Sequence, residues 1–378
     1  MARPSPGCQA ERFAKVDARS GAGNPRARRH EGPSGSLSSL KGEARASPKQ
    51  RPERGDAYYG ALDLGTNNCR LLIASPEPSG FAVVDAFSRI VRLGEGLTGR
   101  GALSEPAMKR TIDALRICAN KLTWHRVGRR RLVATEACRM AANGEEFIAR
   151  VREEVGLELE IIGREMEARL AAVGAEPLLA EDAETALIFD IGGGSTELMW
   201  LARQDERHEI LTWTSLAAGV VTVSERFGGV DVDGAKYDSM RMFLRPMIAS
   251  FADRVRSRTG GAAEPAHLLG TSGTVTTIAG VQLGLRRYDR ARVDGCWLKR
   301  DDIARVCAEL LAMSYDERMD NACIGRDRAD LVLAGCAILE EICRAFPASR
   351  IRVADRGLRE GILTLMMKTD GTYGTEIA

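Results

Sequence analysis

The stretch Phe189-Asp190-Ile191-Gly192-Gly193-Gly194-Ser195-Thr196-Glu197-Leu198-Met199-Trp200 places an acid, three glycines, two hydroxyls and a second acid in eight consecutive positions. Apolar residues run into Asp190 and resume after Glu197, which predicts strand, tight turn, strand. The pattern is not a P-loop, because it lacks G-x-x-x-x-G-K-[ST]. Nor is it a dinucleotide-binding turn, which opens a helix rather than a second strand. Glycines at a hairpin tip let backbone N–H groups converge on one concavity, a nest for an anion. Ser195 and Thr196 can add hydroxyl donors. Asp190 cannot meet a phosphate directly; a carboxylate there needs a cation between, usually Mg2+ with several waters.

The pattern has an earlier echo. In Tyr58 to Ala74 an apolar run ends in Asp63, turns through Gly65-Thr66-Asn67-Asn68 and resumes as Leu71-Leu72-Ile73. Two copies of one hairpin, about 127 residues apart, predict two related α/β halves. A third turn, Gly270-Thr271-Ser272-Gly273, follows a strand beginning at His267. Ser272 and Gly273 there can be a helix N-cap, a geometry that also serves as an anion site. Between these turns helices and strands alternate, which argues α/β layering. Ser104 with Pro106 opens a helix, and Asn143 with Glu146 reads as a capping-box variant. Leu157 to Gly163 reads as a strand entering a helix that carries Glu167. Asp355 reads as a helix cap.

Composition narrows the remaining classes. The chain has 378 residues and 44% hydrophobic content, enough for about two domains. A net charge of +2 gives no global field for nucleic acid. Nine scattered cysteines without a C-x-x-C pair fit a reducing, cytoplasmic setting and no zinc site. No apolar run nears the roughly 20 residues that span a bilayer. Residues 1–56, basic and rich in Pro, Ser and Gly, read as a disordered segment. The boundaries expected for the rest are 57–175 and 176–378.

"ALDLGTNN", "FDIGGGSTEL" and "LLGTSGTVTTIAG" resemble the phosphate and nucleoside motifs of the sugar kinase, heat-shock chaperone and actin superfamily. More narrowly, the chain resembles the exopolyphosphatase and guanosine pentaphosphate phosphohydrolase (Ppx/GppA) family. Supporting stretches are "VRLGEGL", "ATEACRMAANGEEF", "GREMEARL", "RADLVLAGCAIL" and "RVADRGLREGIL". The resemblance runs from about Tyr58 to Lys368. It implies two actin-like (ribonuclease H-like) α/β domains around a central cleft. It further implies a Mg2+-dependent hydrolase that removes the terminal phosphate of inorganic polyphosphate or guanosine pentaphosphate. By resemblance, Glu167 is the catalytic base, Arg139 contacts phosphate, and Asp190 and Glu197 belong to the metal and water site, with Asp63 in the matching place of the first loop. The first loop departs from the family's usual D-x-G-S-N-S, with Thr66 keeping a hydroxyl and Asn68 replacing one with an amide. Long members continue into a C-terminal helical region of HD type that supports a processive grip; the residues here end at Ala378. Short members often form homodimers.

Elementary chemistry fits these roles. Phosphoanhydride hydrolysis is mostly positioning and charge neutralisation, with in-line attack by water. Gly65 to Asn68, Gly192 to Thr196, and Ser272 with Gly273 are the candidate donors. Asp63, Asp190 and Glu197 are the candidate metal ligands, and Arg139 and Glu167 the candidate catalytic pair. Two rival readings share the fold: an ATP-dependent phosphotransferase, and a non-enzymatic actin-like module. A basic lining, for example from Arg286, Arg287, Arg290 and Arg292, would favour polyphosphate. An aromatic or apolar wall near Gly273 to Gly280 would favour guanine.

Overall fold

The computed structural model describes residues 58–205, 207–261 and 263–373; the basic segment 1–56 lies outside them. The hairpin expected around Asp63 is β1 (Tyr59–Leu64) and β2 (Asn68–Glu77), continued by β3 (Gly80–Ile90). Strand β4 (Arg129–Ala134) pairs parallel to β1, and β5 (Glu160–Ile161) parallel to β4, giving the order β3-β2-β1-β4-β5. The second hairpin is β6 (Thr185–Ile191) and β7 (Thr196–Gln204), continued by β8 (Arg207–Leu216). Strands β9 (His267–Thr271), β10 (Trp297–Lys299) and β11 (Arg350–Ala354) complete a sheet of order β10-β11-β9-β6-β7-β8. Each half is therefore an antiparallel meander whose first strand carries a parallel neighbour. This is the repeat that the two hairpins predict.

The register makes the repeat exact at the tips. Asp63 faces Arg70 across the first hairpin, and Asp190 faces Glu197 across the second. An arginine thus stands in one half where an acid stands in the other.

Two local expectations change. The strand expected over Leu157 to Gly163 is ordered as a ladder only at Glu160 and Ile161. Asn143 starts the helix Gly144–Val155, but its side chain does not cap it. Its amide instead brackets Leu103, accepting from the Leu103 N–H (2.8 Å) and donating to the Leu103 carbonyl (3.1 Å). Ser104 does cap its helix, Glu105–Trp124, accepting from the Ala107 N–H.

Two helices are exchanged between the sheets. Helix Arg164–Ala175 follows the first sheet in sequence, yet Ala168, Ala172 and Ala175 pack with Ile188, Met199 and Leu269 of the second. Helix Leu358–Thr369 ends the second half, yet Leu358, Ile362, Leu363 and Met367 pack on Tyr59, Ala61, Leu72 and Val133 of the first. The two helices touch backbone to backbone. A Cβ on Gly361 would lie 1.9 Å from the Leu170 carbonyl oxygen, and one on Gly174 1.9 Å from that of Gly357. Packing therefore crosses the sequence boundary expected at 175/176. The halves are also tied by Arg92, which donates to both carboxylate oxygens of Asp330 (2.9 and 3.0 Å).

Candidate active site

The hairpin tips meet. A Cβ on Gly193 would come within 2.9 Å of Thr66 Cβ, and one on Gly194 within 2.7 Å of Thr66 Oγ1. Only residues without a Cβ let the loops come this close. Together they wall a cavity of about 590 Å³ that also reaches the Gly270 turn. Within the loops, the Gly65 N–H is used by Asn68 and the Gly192 N–H by Ser195. The amides of Thr66, Asn67, Gly193, Gly194 and Ser195 donate to nothing among the described residues. Five amides without a partner among the described residues thus stand at the adjoining tips, where the sequence reading expects an anion nest.

The third turn adds to it. Ser272 starts the helix Gly273–Gln282 with φ of 99°, a region that residues other than glycine rarely adopt. Its hydroxyl is buried without a partner among the described residues and makes no cap. Strain and an unspent hydroxyl at a helix N-terminus beside the nest mark a functional position. Hydroxyls elsewhere do not behave as expected. Ser195 Oγ donates to Glu197 (2.8 Å), and Thr196 Oγ1 donates to the Ala218 carbonyl (2.6 Å), so neither proton is left for a ligand. Asn67 and Asn68 each keep a buried amide oxygen without a partner among the described residues.

Asp63, Glu167, Asp190 and Glu197 line the cavity, together with Glu136, Asp355 and Glu360. Burial pushes the Glu167 carboxyl up to about 7; Arg139 opposes the shift, while Asp63 and Asp190 add to it. Burial likewise pushes Asp190 up to about 6, and it raises Asp63, with Arg70 acting against both shifts. Glu197 is raised by burial and then by Glu167 and Asp190, although it accepts from Ser195 and Ser215. Burial is the first cause in all four, and the neighbouring acids add to it at Glu167, Asp190 and Glu197.

Arg139 stands behind the wall. Its guanidinium donates to Glu167 Oε2 (2.9 Å), to Glu136 and to the Ile162 carbonyl, and it is not among the cavity-lining residues. It holds the Glu167 carboxyl in place and stays outside the cavity lining. Arg164 pairs with Glu136, not with Glu167 (2.7 Å). Burial works against the Glu136 carboxylate, but Arg164 and Arg139 hold it below its ordinary range.

The cations lining the cavity are others: Arg70, Arg328 and Arg359, together with Arg290 and Arg356, which pair with Asp355 and Asp294. Arg70 and Arg328 have no side-chain hydrogen bond or ion pair among the described residues, and Arg328 lies over Gly273. Burial lowers the pKa of Arg328 and of Arg359, with Arg70 adding to both shifts. Arg70 and Arg328, without partners among the described residues and lining the same cavity as the unspent amides, have the chemistry that anion binding needs. Sequence reasoning missed Arg70, though superposing the two hairpins places it opposite Asp63, where Glu197 stands opposite Asp190. Of the arginines expected as a basic lining, Arg290 lines the cavity and Arg286, Arg287 and Arg292 do not. Asp355 caps no helix; it accepts from the Tyr288 hydroxyl (2.7 Å), and Gly357 starts the last helix.

Arg328→Gln tests this assignment. Removing an unpaired, desolvated cation is expected to leave stability unchanged or raise the melting temperature by about 1–2 °C. Turnover of phosphorylated substrates (kcat/KM) is expected to fall at least about tenfold. A melt and a phosphate-release assay check both, and unchanged kcat/KM would remove Arg328 from the site.

Paired α/β lobes, two glycine hairpins and a mixed set of acids and arginines between them define a phosphoryl-handling enzyme on an actin-like scaffold. The Ppx/GppA phosphatase family model matches residues 72–370. Exopolyphosphatase 2 of Mycobacterium tuberculosis is 30% identical over 322 residues, covering 80% of this chain and 96% of that protein. An exopolyphosphatase from Cytophaga hutchinsonii superposes with a TM-score of 0.75 at 26% identity, over 83% of this chain and 98% of that one. The Ppx/GppA family member of Aquifex aeolicus superposes with a TM-score of 0.69 at 27% identity, over 84% and 99%. The chain belongs to the Ppx/GppA phosphatase family, and it is a hydrolase with that family's two-domain actin-like fold.

Proposed function

We propose that this protein is an exopolyphosphatase, releasing the terminal phosphate of inorganic polyphosphate by attack of water. The observation that carries the reading is the convergence of five unspent amides and the unpaired Arg70 and Arg328 on one cavity, beside a carboxyl poised near neutrality. Donors of this number suit a polyanion's end group, and a base with pKa near the working pH suits water activation. The names of the relatives from Mycobacterium tuberculosis and Cytophaga hutchinsonii support the same substrate.

In this reading the terminal phosphoryl oxygens accept from the amides of Thr66, Asn67, Gly193, Gly194 and Ser195. Arg70, Arg328 and Arg359 neutralise its charge and that of the next phosphates. Glu167, held at Oε2 by Arg139, orients the attacking water and takes its proton at Oε1. The leaving chain is a phosphate anion and needs no proton from the enzyme. Glu197, fixed by Ser195 and Ser215, buttresses the loop.

The donor set also fits a divalent cation. Among the described residues no three acidic, His or Cys side chains form a ready cage. Mg2+, however, is usually held by one or two carboxylates together with substrate phosphates and waters. Asp63 and Asp190, both raised by burial and the second also by the charge of Asp63, are the residues that would hold it, with Glu197 behind them. When bound, Mg2+ supplies charge neutralisation at the phosphate oxygens.

A second reading, guanosine pentaphosphate hydrolysis, has its own observation. Beyond Gly273 the cavity wall is Tyr288, Cys323, Ile324, Leu331 and Val332, an apolar surface suited to a nucleoside. Phosphate release from long polyphosphate, tripolyphosphate and guanosine pentaphosphate, each with Mg2+, separates the two. The expected result is faster release from polyphosphate. Release from the nucleotide alone would establish the second reading. Phosphate appearing on an alcohol instead of carrying oxygen from labelled water would overturn both.

A further inference from the structure

A groove outside the cavity has no part in the chemistry above. It has a volume of about 590 Å³ and is lined by Arg164, Arg254 and Arg258 with residues 211–215 of β8. Three arginines line it and no carboxylate does. Arg254 and Arg258 are exposed and one turn apart on the helix Gly234–Thr259, so they share a face. The acid nearest them in sequence, Asp253, is engaged by Arg256. Arg258 donates to the Leu211 carbonyl (3.3 Å), whereas Arg254 has no hydrogen bond or ion pair among the described residues and lies over Phe251. The hydroxyls of Thr212 and Thr214 are likewise without hydrogen bonds among the described residues.

The groove shares its inner wall with the cavity. Ser215 lines the groove and donates to Glu197, which lines the cavity (2.8 Å). Arg164 lines the groove and donates to Glu136, which lines the cavity (2.7 Å). From Ser215 back to Leu211 the strand runs away from the hairpin tips, about 14 Å at an ordinary antiparallel rise. Arg164 stands at the cavity end of this path and Arg258 at its far end.

We propose that this groove is a subsite for the distal phosphates of a linear polyphosphate whose terminal group lies between the two glycine loops. The inference rests on the exopolyphosphatase reading and adds to it a determinant of chain length. A linear polyanion carries a charge at every repeat, so the exposed guanidiniums of Arg254 and Arg258, neither in an ion pair among the described residues, gain affinity with each phosphate they reach, through release of counterions. Tripolyphosphate is too short to occupy the cavity and the far groove together.

The test compares kcat/KM for long polyphosphate and for tripolyphosphate in wild type, Arg254→Gln and the double variant Arg254→Gln/Arg258→Gln. The ratio of long to short is expected to fall about threefold in the single variant and about tenfold in the double. The slope of log KM against log salt for the long chain is expected to shrink by about 0.7–0.9 per arginine removed. Arg254 makes no hydrogen bond, so the single variant guards against a merely structural effect of losing the Arg258 contact to Leu211. An unchanged ratio, an equal loss on both substrates, or a change of oligomeric state in place of a change in ratio would each overturn the subsite. Wild type releasing phosphate from guanosine pentaphosphate but from no polyphosphate would instead overturn the substrate reading on which the subsite rests.

Discussion

Glu167→Gln is expected to lower turnover by a factor of about 10² to 10⁴ while leaving phosphate binding intact, because it removes only the proton acceptor. The glutamine keeps the side chain's shape and can still accept from Arg139. In wild type, activity should rise with pH through an apparent value near 7, where Glu167 loses its proton. That value belongs to the carboxylate set and not to one residue, since Asp63, Asp190 and Glu197 share the space. The stability effect has the opposite sense. Burial raises the folded pKa from 4.5 to about 7, so the protonated acid's contribution is fully present below about pH 4.5 and is lost as pH rises through 7. At pH 8 the buried charge costs about 3 kcal/mol by this shift. The variant should therefore melt higher than wild type at pH 8 and close to it at pH 5. A variant that retains most of its turnover, assayed by phosphate release, would remove Glu167 from the base role.

Gly361→Ala carries the second large effect, on the fold. Exposed in an isolated helix, alanine would gain about 1 kcal/mol over glycine. Here the added Cβ meets the Leu170 carbonyl oxygen at 1.9 Å, and the obstacle is backbone, which cannot swing aside. Overpacking of this kind costs about 3 kcal/mol or more, so the clash outweighs the helical gain. Chemical denaturation should show the midpoint falling, with activity falling alongside because the same contact joins the two halves. Gly128→Ala, where the new Cβ meets nothing within 4 Å, is the control and should be near neutral. Equal midpoints for the two variants would show that the helices can separate freely.

The repeat was legible because two hairpins with the same apolar–acid–glycine–apolar order sit far apart in one chain. Period and turn chemistry are local properties, and both hairpins form where they predict. The roles of individual atoms were less legible, because residue type does not say which partner arrives first. Ser195 and Thr196 carry the hydroxyls expected at a phosphate loop, but Glu197 and the Ala218 carbonyl take their protons. Arg139 has the right charge, yet two carboxylates within reach claim it. Asn143 has a capping side chain, and the backbone of Leu103 satisfies it instead. Arg70, Arg328 and Arg359 were invisible singly, since each comes from a different element and only folding gathers them. The exchanged helices lay outside any local signal, because their apolar faces do not say which sheet they will cover.

That exchange sets an order of events during synthesis. The strands β1 to β4 leave the ribosome early, but the face formed by Tyr59, Ala61, Leu72 and Val133 packs with Leu358, Ile362, Leu363 and Met367 of the helix Leu358–Thr369 as well as with Ile162 and Leu170. The helix Leu358–Thr369 must be made before this face is fully out of water, so the first half cannot finish folding on its own residues alone. A nascent chain stalled anywhere in the second half presents an apolar sheet surface of the kind that chaperones hold and that aggregation exploits. The helix Leu358–Thr369 is the one that releases the protein from that state.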